Sequence, residues 1–276
     1  MTLVAVAVGI AGATGLLLYE FAAVGLAQVP TLARSGHWSA DVIEDRLTVP
    51  APVGVLVAAL AVAASLSTLV QLTRAGRQLI AARRWGRRRG ASGGGLVVVE
   101  GTAGSPAFAL PGRRGAVVVA RELLRRLDAG ERRALLAHEE SHLRHRHHLY
   151  VQLVALAAAA NPLLRPLIAA TRLATERWAD EDAAAAVGDR VPVARALAKA
   201  GLLRGSGGAP APALFAAGSD LADRLRHLLQ PDEERRPRAA VAVLAGSTLL
   251  ELGTAGIFAA VAHGWFEAAQ AAYLHR

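Results

Sequence analysis

Two histidines and a glutamate in the run ALLAHEESHLRHRHH are the residues best suited to do chemistry in this chain. The run contains H-E-x-x-H as His138, Glu139, Glu140, Ser141 and His142. On a helix, residues four apart share a face, so the two imidazoles can meet one metal ion. Glu139 lies one step round, where it can take a proton from a metal-activated water and return it to a leaving amine. That is the chemistry of metal-assisted peptide hydrolysis, and it needs a third protein ligand.

Two candidates for that ligand stand downstream. His148 lies ten residues after His138, the spacing of H-E-x-x-H-x-x-G-x-x-H. In that pattern a glycine turns the chain sharply, but here the glycine position is His145, and the Met-turn that accompanies the pattern is missing, since the single methionine is Met1. The other candidate is in TRLATERWADEDAAAA, where Glu176 and Asp180 are four apart on a second predicted helix. Glu176 can offer a carboxylate oxygen to zinc. Asp180 can accept the free N–H of a ligand histidine and so fix its tautomer. The competing reading of this pair, an acidic helix surface that continues into Glu181 and Asp182, is outweighed by the upstream motif.

Taken together, H-E-x-x-H followed by E-x-x-A-D resembles the membrane gluzincins: the HtpX and CAAX-prenyl-protease family and the related BlaR/MecR antirepressor peptidases of bacteria. The resemblance runs from about Pro106 to Leu229 and takes in FALPGRRG, NPLLRPL and ERWADEDAA. It implies that His138, His142 and Glu176 hold one Zn2+, that Glu139 is the catalytic base, and that Asp180 stands behind a ligand. It also implies hydrolysis of protein or peptide substrates in or beside a membrane, in regulatory or quality-control proteolysis. BlaR and MecR carry a large extracellular sensor. Here only a short tail follows the last apolar segment, so antibiotic sensing is not expected.

The elements that must position these residues follow from composition. Of the 276 residues, 53 % are hydrophobic, the mean hydropathy is +0.34, and cysteine is absent. Any metal must therefore take nitrogen or oxygen ligands. Residues 3–27, 49–72 and 239–262 are each apolar and long enough to span a bilayer, the first and third interrupted only by Glu20 and Glu251. A cleavable signal peptide ending near Ala27 is the weaker alternative for the first, which lacks a basic n-region. The formal charge of +9 comes largely from arginines beside apolar segments, including Arg74, Arg77, Arg83, Arg84, Arg87, Arg88 and Arg89. With only Trp85 to stack on bases, this run reads as a membrane-topology signal rather than a nucleic-acid surface. It places residues 73–238 in the cytoplasm and residues 28–48, with Asp41, Glu44 and Asp45, outside.

The expected protein is thus a predominantly α membrane protein with three transmembrane helices and a cytoplasmic zincin-like domain. Residues 1–72 form two spans, 73–95 a basic linker ending in a Gly-rich stretch, 96–235 the catalytic domain, and 236–276 the last span and an outside tail. Three short apolar runs, Leu96–Glu100, Ala107–Leu110 and Gly115–Ala120, read as a small β-meander. Gly115–Ala120 is the expected edge strand for an extended substrate. Residues 121–128 and 131–150 read as helices. The apolar stretch 149–170 cannot cross the membrane if His142 and Glu176 share an ion. It is read as a buried helical pair broken at Asn161-Pro162 and docked against the membrane, with a re-entrant hairpin as the alternative. His145 and His147 read as solvated helix residues, and Arg224 and Arg226 as surface salt-bridging residues, with facing the active-site domain or lipid phosphates as the alternative. Tyr150 and the later His and Arg residues are candidates to stabilise an oxyanion, and spacing alone does not select one. A catalytically silent membrane scaffold is the main alternative function, against which the intact Glu139 stands. A transporter with a His-rich segment would leave E-x-x-A-D unexplained.

Overall fold

The computed structural model describes residues 2–27, 34, 37, 39, 42, 51–90, 94–100, 106–112, 115–205, 211–230 and 238–275. Most of the expected outside loop 28–48 and part of the Gly-rich linker lie outside the described residues, as do the side chains of Glu20 and Glu251. The protein is mostly helical, with one small sheet. In chain order the elements are α1 (Thr2–Ala27), α2 (Ala51–Arg88), β1 (Leu96–Val99), β2 (Ala107–Leu110), β3 (Ala116–Ala120), α3 (Arg121–Arg126), α4 (Ala129–Arg144) and α5 (His147–Ala160). A 3-10 turn at Pro162–Leu164 leads to α6 (Arg165–Val187), α7 (Arg190–Gly205), α8 (Ala211–Leu229) and α9 (Arg238–Leu274).

The chain divides into two compact units, one of Met1–Thr73, Leu153–Ile168 and Pro237–Arg276, the other of Arg74–Gln152 and Ala169–Arg236. In the first, α1 packs against α9 along small residues: Ala7, Ala13, Ala262 and Ala269 are fully buried. The Asn161 amide donates to Thr14 Oγ1 at 3.3 Å. Among the described residues, α2 is the one helix long and apolar enough to cross a membrane, over Val55–Arg88, and none of its apolar window is buried. Helices α1 and α9 cover the other two apolar segments, but the apolar run described in α1, Leu3–Tyr19, is shorter than a span.

The second unit is built on the sheet, whose order is β1-β3-β2. β1 runs parallel to β3, and β2 runs antiparallel to it, with Phe108 opposite Val118. The expected meander is therefore corrected, because a meander would place β2 in the middle. The central strand is β3, all five residues of which are buried. Its AVVVA sequence is apolar on both faces, as a strand covered on both sides must be. Val117 and Val119 face Leu123, Leu127, Leu135 and Ala196 of the helices. Val118 faces the other way, towards Ala82 and Trp85 at the basic end of α2. Full burial of each such valine stabilises by about 1.5–3 kcal/mol. Being central, Gly115–Ala120 cannot be the edge that receives a substrate; β1 and β2 are the edge strands.

Helix α4 starts at a capping box. The Asp128 side chain accepts from Glu131 N at 2.8 Å, and Glu131 Oε2 accepts from Asp128 N at 2.9 Å. The expected helix 131–150 is broken at His145–Arg146, where Arg146 has a φ of +53°. That left-handed step costs an L-residue energy and restarts the helix in a new direction as α5. The break at Asn161-Pro162 falls where expected: proline cannot donate to the helix, and Asn161 Oδ1 accepts from Leu163 N at 3.1 Å.

Candidate metal centre

Three helices converge to build the site. α4 brings His138, Glu139 and His142, α6 brings Glu176 and Asp180, and α8 brings Arg224. Nε2 of His142 lies 3.1 Å from Nε2 of His138. Glu176 Oε2 is 3.5 Å from His138 Nε2, and Glu176 Oε1 is 3.6 Å from His142 Nε2. A tetrahedral ion with bonds of about 2.0–2.2 Å to nitrogen and oxygen separates its ligand atoms by about 3.4 Å. The observed separations lie within a few tenths of an ångström of that value, Glu176 facing His138 with Oε2 and His142 with Oε1, so the donor types and their spacing are compatible with a zinc ion. Among the described residues, these three form the one group of His, Asp or Glu able to hold a metal.

The helix phases explain the convergence. His138 and His142 are one turn apart on α4, while Glu176 and Asp180 are one turn apart on α6. Small buried residues, Ala134 on α4 with Ala183 and Ala184 on α6, belong to one core cluster completed by Val193, Ala194 and Leu228. Ser141 on α4 donates to Asp182 Oδ2 on α6 at 2.6 Å, and His145 Nε2 lies 2.9 Å from the same oxygen. Asp182 thus ties the two helices beside the ligands.

Behind His138, Nδ1 donates to Asp180 Oδ1 at 3.0 Å, which leaves Nε2 facing the cluster. Asp180 is 1 % exposed. Burial opposes a charge on His138, but hydrogen bonds to Asp180 and Glu176 outweigh it and raise its pKa to about 10. Burial, reinforced by His138, lowers His142 to about 4. Burial also pushes Glu176 up, yet His138 and Arg224 more than offset it and hold the carboxyl well below its ordinary range. The positive charge of the pair therefore rests on His138 rather than on His142, against the carboxylates of Asp180 and Glu176.

Arg224 was expected on the surface. Instead its side chain is largely enclosed, 12 % exposed, donating from Nε and Nη2 to Asp180 at 2.8 and 2.7 Å and from Nη1 to Glu176 at 2.8 Å. Its place was visible in helix periodicity: Leu221, Arg224, Leu225 and Leu228 share one face of α8. Arg226 falls on the opposite face and pairs with Asp223 there, as expected of a surface residue.

His147 is also corrected: it is 2 % exposed, not solvated. His145 is partly buried against Asp182 and Trp178. Tyr150 stacks near Trp178, with ring centroids 6.3 Å apart, and is not among the residues lining the cavity described next.

The cluster opens into a cavity of about 660 Å³. His138, Glu139, His142 and Glu176 line it together with β2, from Pro106 to Ala109, and apolar residues of α4, α7 and α8 such as Leu135, Leu197 and Leu221. His148 lies on its exposed rim, away from the three ligand atoms. Glu139 is 7 % exposed. Pro106 O accepts from Ala120 N at 2.8 Å, so the antiparallel ladder takes its bonds at Phe108 and Leu110. Ala109 consequently turns its N–H and C=O to the outer edge of β2.

Residues 71–160, about a third of the chain, match the family model of peptidase family M48. No curated protein and no solved structure is significantly similar to the chain. The matched region contains the sheet and the His138, Glu139 and His142 helix but ends before Glu176, Asp180 and Arg224. The family match supports a peptidase of the metal-dependent kind. The fold, independently of that match, brings the carboxylate of Glu176 to the two histidines, a group that could hold a metal ion.

Proposed function

We propose that this chain, M48-like over residues 71–160, is a membrane-anchored zinc endopeptidase in which His138, His142 and Glu176 are the ligands and Glu139 is the catalytic base. The observation that carries the reading is the convergence of His138 Nε2, His142 Nε2 and the Glu176 carboxylate, whose Oε2 lies 3.5 Å from the first nitrogen and whose Oε1 lies 3.6 Å from the second, the two nitrogens being 3.1 Å apart. Zinc bound there would supply Lewis acidity, polarising both the scissile carbonyl and the attacking water. Glu139 takes the proton of that water and delivers it to the leaving amine. Asp180 holds the His138 ring in register, and Arg224 holds the carboxylates of Asp180 and Glu176.

The substrate is an extended, unfolded or flexible protein segment. It adds alongside β2, the edge strand on the cavity wall, through the outward N–H and C=O of Ala109. The apolar residues Leu135, Leu197 and Leu221 favour apolar side chains of the substrate.

Anchorage rests on α2, whose exposed apolar surface is costly in water and natural in lipid. The seven arginines from Arg74 to Arg89 place the catalytic region, residues 96–235, on the cytoplasmic side of a bacterial membrane. Spans at residues 3–27 and 239–262 complete a multi-pass topology. Regulatory or quality-control proteolysis suits an enzyme that takes unfolded segments at a membrane face.

The test is cleavage of a casein-like unfolded substrate by the full chain in detergent, with wild type compared to Glu139→Gln. Loss of the base lowers turnover by about 10²–10⁴-fold. Equal cleavage by both proteins contradicts the role of Glu139. Cleavage by neither favours a scaffold that keeps the fold without the activity.

A further inference from the structure

The two ligand histidines are supported differently. His138 is backed by a carboxylate, Asp180. His142 is backed by a second imidazole: its Nδ1 lies 2.9 Å from Nδ1 of His147, with the ring planes at 86°. Two nitrogens at that distance share one proton. Nε2 of His142 faces His138 and Glu176, so its lone pair is available to an ion only if the proton of His142 sits on Nδ1. That N–H then donates to Nδ1 of His147, and His147 carries its own proton on Nε2. Nε2 of His147 is buried and has no hydrogen-bond partner among the described residues. Nδ1 is therefore its one engaged nitrogen.

The chain goes to some length to place this ring. The left-handed Arg146 separates α4 from α5 and carries His147 back towards His142, five residues earlier. The ring is then held by aromatic neighbours. Its centroid is 5.0 Å from that of Trp178, and His145 stacks on it at 5.6 Å with an interplanar angle of 17°. A rigid, buried acceptor aimed at the outer nitrogen of a ligand histidine sets both tautomer and orientation of that ligand.

We propose that His147 is a positioning residue for the metal centre, accepting the Nδ1 proton of His142 so that His142 Nε2 is presented to the ion. This rests on the zinc reading given above. Support of this kind is worth about 10–100-fold in metal affinity.

The experiment compares full-length wild type, His147→Leu, His147→Asn and His142→Ala in detergent. Zinc retention is measured against a competing chelator, and cobalt(II) is titrated with its visible absorption as a second readout. Asparagine can place Oδ1 where Nδ1 of His147 stands, while leucine fills the space without an acceptor. The expected result is a roughly 10–100-fold weaker hold on zinc and an altered cobalt spectrum in His147→Leu, with His147→Asn close to wild type and thermal melting of the metal-free proteins alike. Wild-type affinity in His147→Leu, alongside loss in His142→Ala, overturns the inference. Equal loss in the leucine and asparagine variants also overturns it, because packing and not the acceptor would then matter. A wild type that binds neither metal contradicts the zinc reading itself.

Discussion

Arg224 grips Asp180 at two points, Nε to Oδ2 at 2.8 Å and Nη2 to Oδ1 at 2.7 Å, and the same Asp180 accepts from the ligand-bearing ring of His138. Its third nitrogen reaches Glu176. One guanidinium therefore fixes both the Glu176 carboxylate and the carboxylate behind His138. The pair is almost wholly buried, with side-chain exposures of 12 % and 2 %. Removing one member of such a pair leaves an uncompensated charge and costs about 3–5 kcal/mol. Arg224→Met is expected to lower the unfolding free energy by about that much and to release zinc more readily. Arg224→Lys does not rescue it, since an ammonium cannot make the two-point contact. Denaturant unfolding and zinc content check both statements.

Asp182 gives a pH-dependent prediction. Burial works against its ionisation, but hydrogen bonds from Ser141 and His145 hold its pKa below the ordinary 3.8. A carboxyl whose folded pKa is depressed contributes stability that is complete above the unfolded value and is lost as pH falls through the folded value. Asp182→Asn is thus expected to melt about 2–4 °C below wild type at neutral pH. The gap closes as the pH is taken down through the folded pKa, below 3.8. A gap that stays constant across that range contradicts the assignment.

Strand β2 can be tested by removing one edge donor. Ala109→Pro deletes an N–H that points away from β3, so the ladder to β3 survives. Cleavage of an unfolded substrate is expected to fall by about tenfold or more, chiefly through KM, with little change in melting temperature. A variant that cleaves normally shows that substrate does not run along β2.

Much of the centre was legible because it lies within helices. The four-residue spacings of His138 to His142 and Glu176 to Asp180 are helix turns, and helix turns can be read in one dimension. The break at Asn161-Pro162 was legible for the same local reason: a capping side chain followed by a residue without an N–H. The strand order was not. Nothing local in LVVV, AFAL and AVVVA says which strand takes the middle; that follows from which is buried on both faces, and AVVVA is. His147 was hidden by Arg146, whose left-handed backbone resets the helical phase, so spacing from His142 no longer reports direction. Arg224 was hidden by its charge, although its phase beside Leu221 and Leu228 pointed inward.

The central claim is that His138, His142 and Glu176 hold one zinc ion. Measuring zinc per chain in purified wild type and in Glu176→Ala tests it most directly. Glu176 lies outside the region that matches the M48 family, and both its E-x-x-A-D motif and the fold bring it to the site. One ion per chain in wild type, lost or greatly weakened in Glu176→Ala, is the predicted result; unchanged zinc in Glu176→Ala would contradict it.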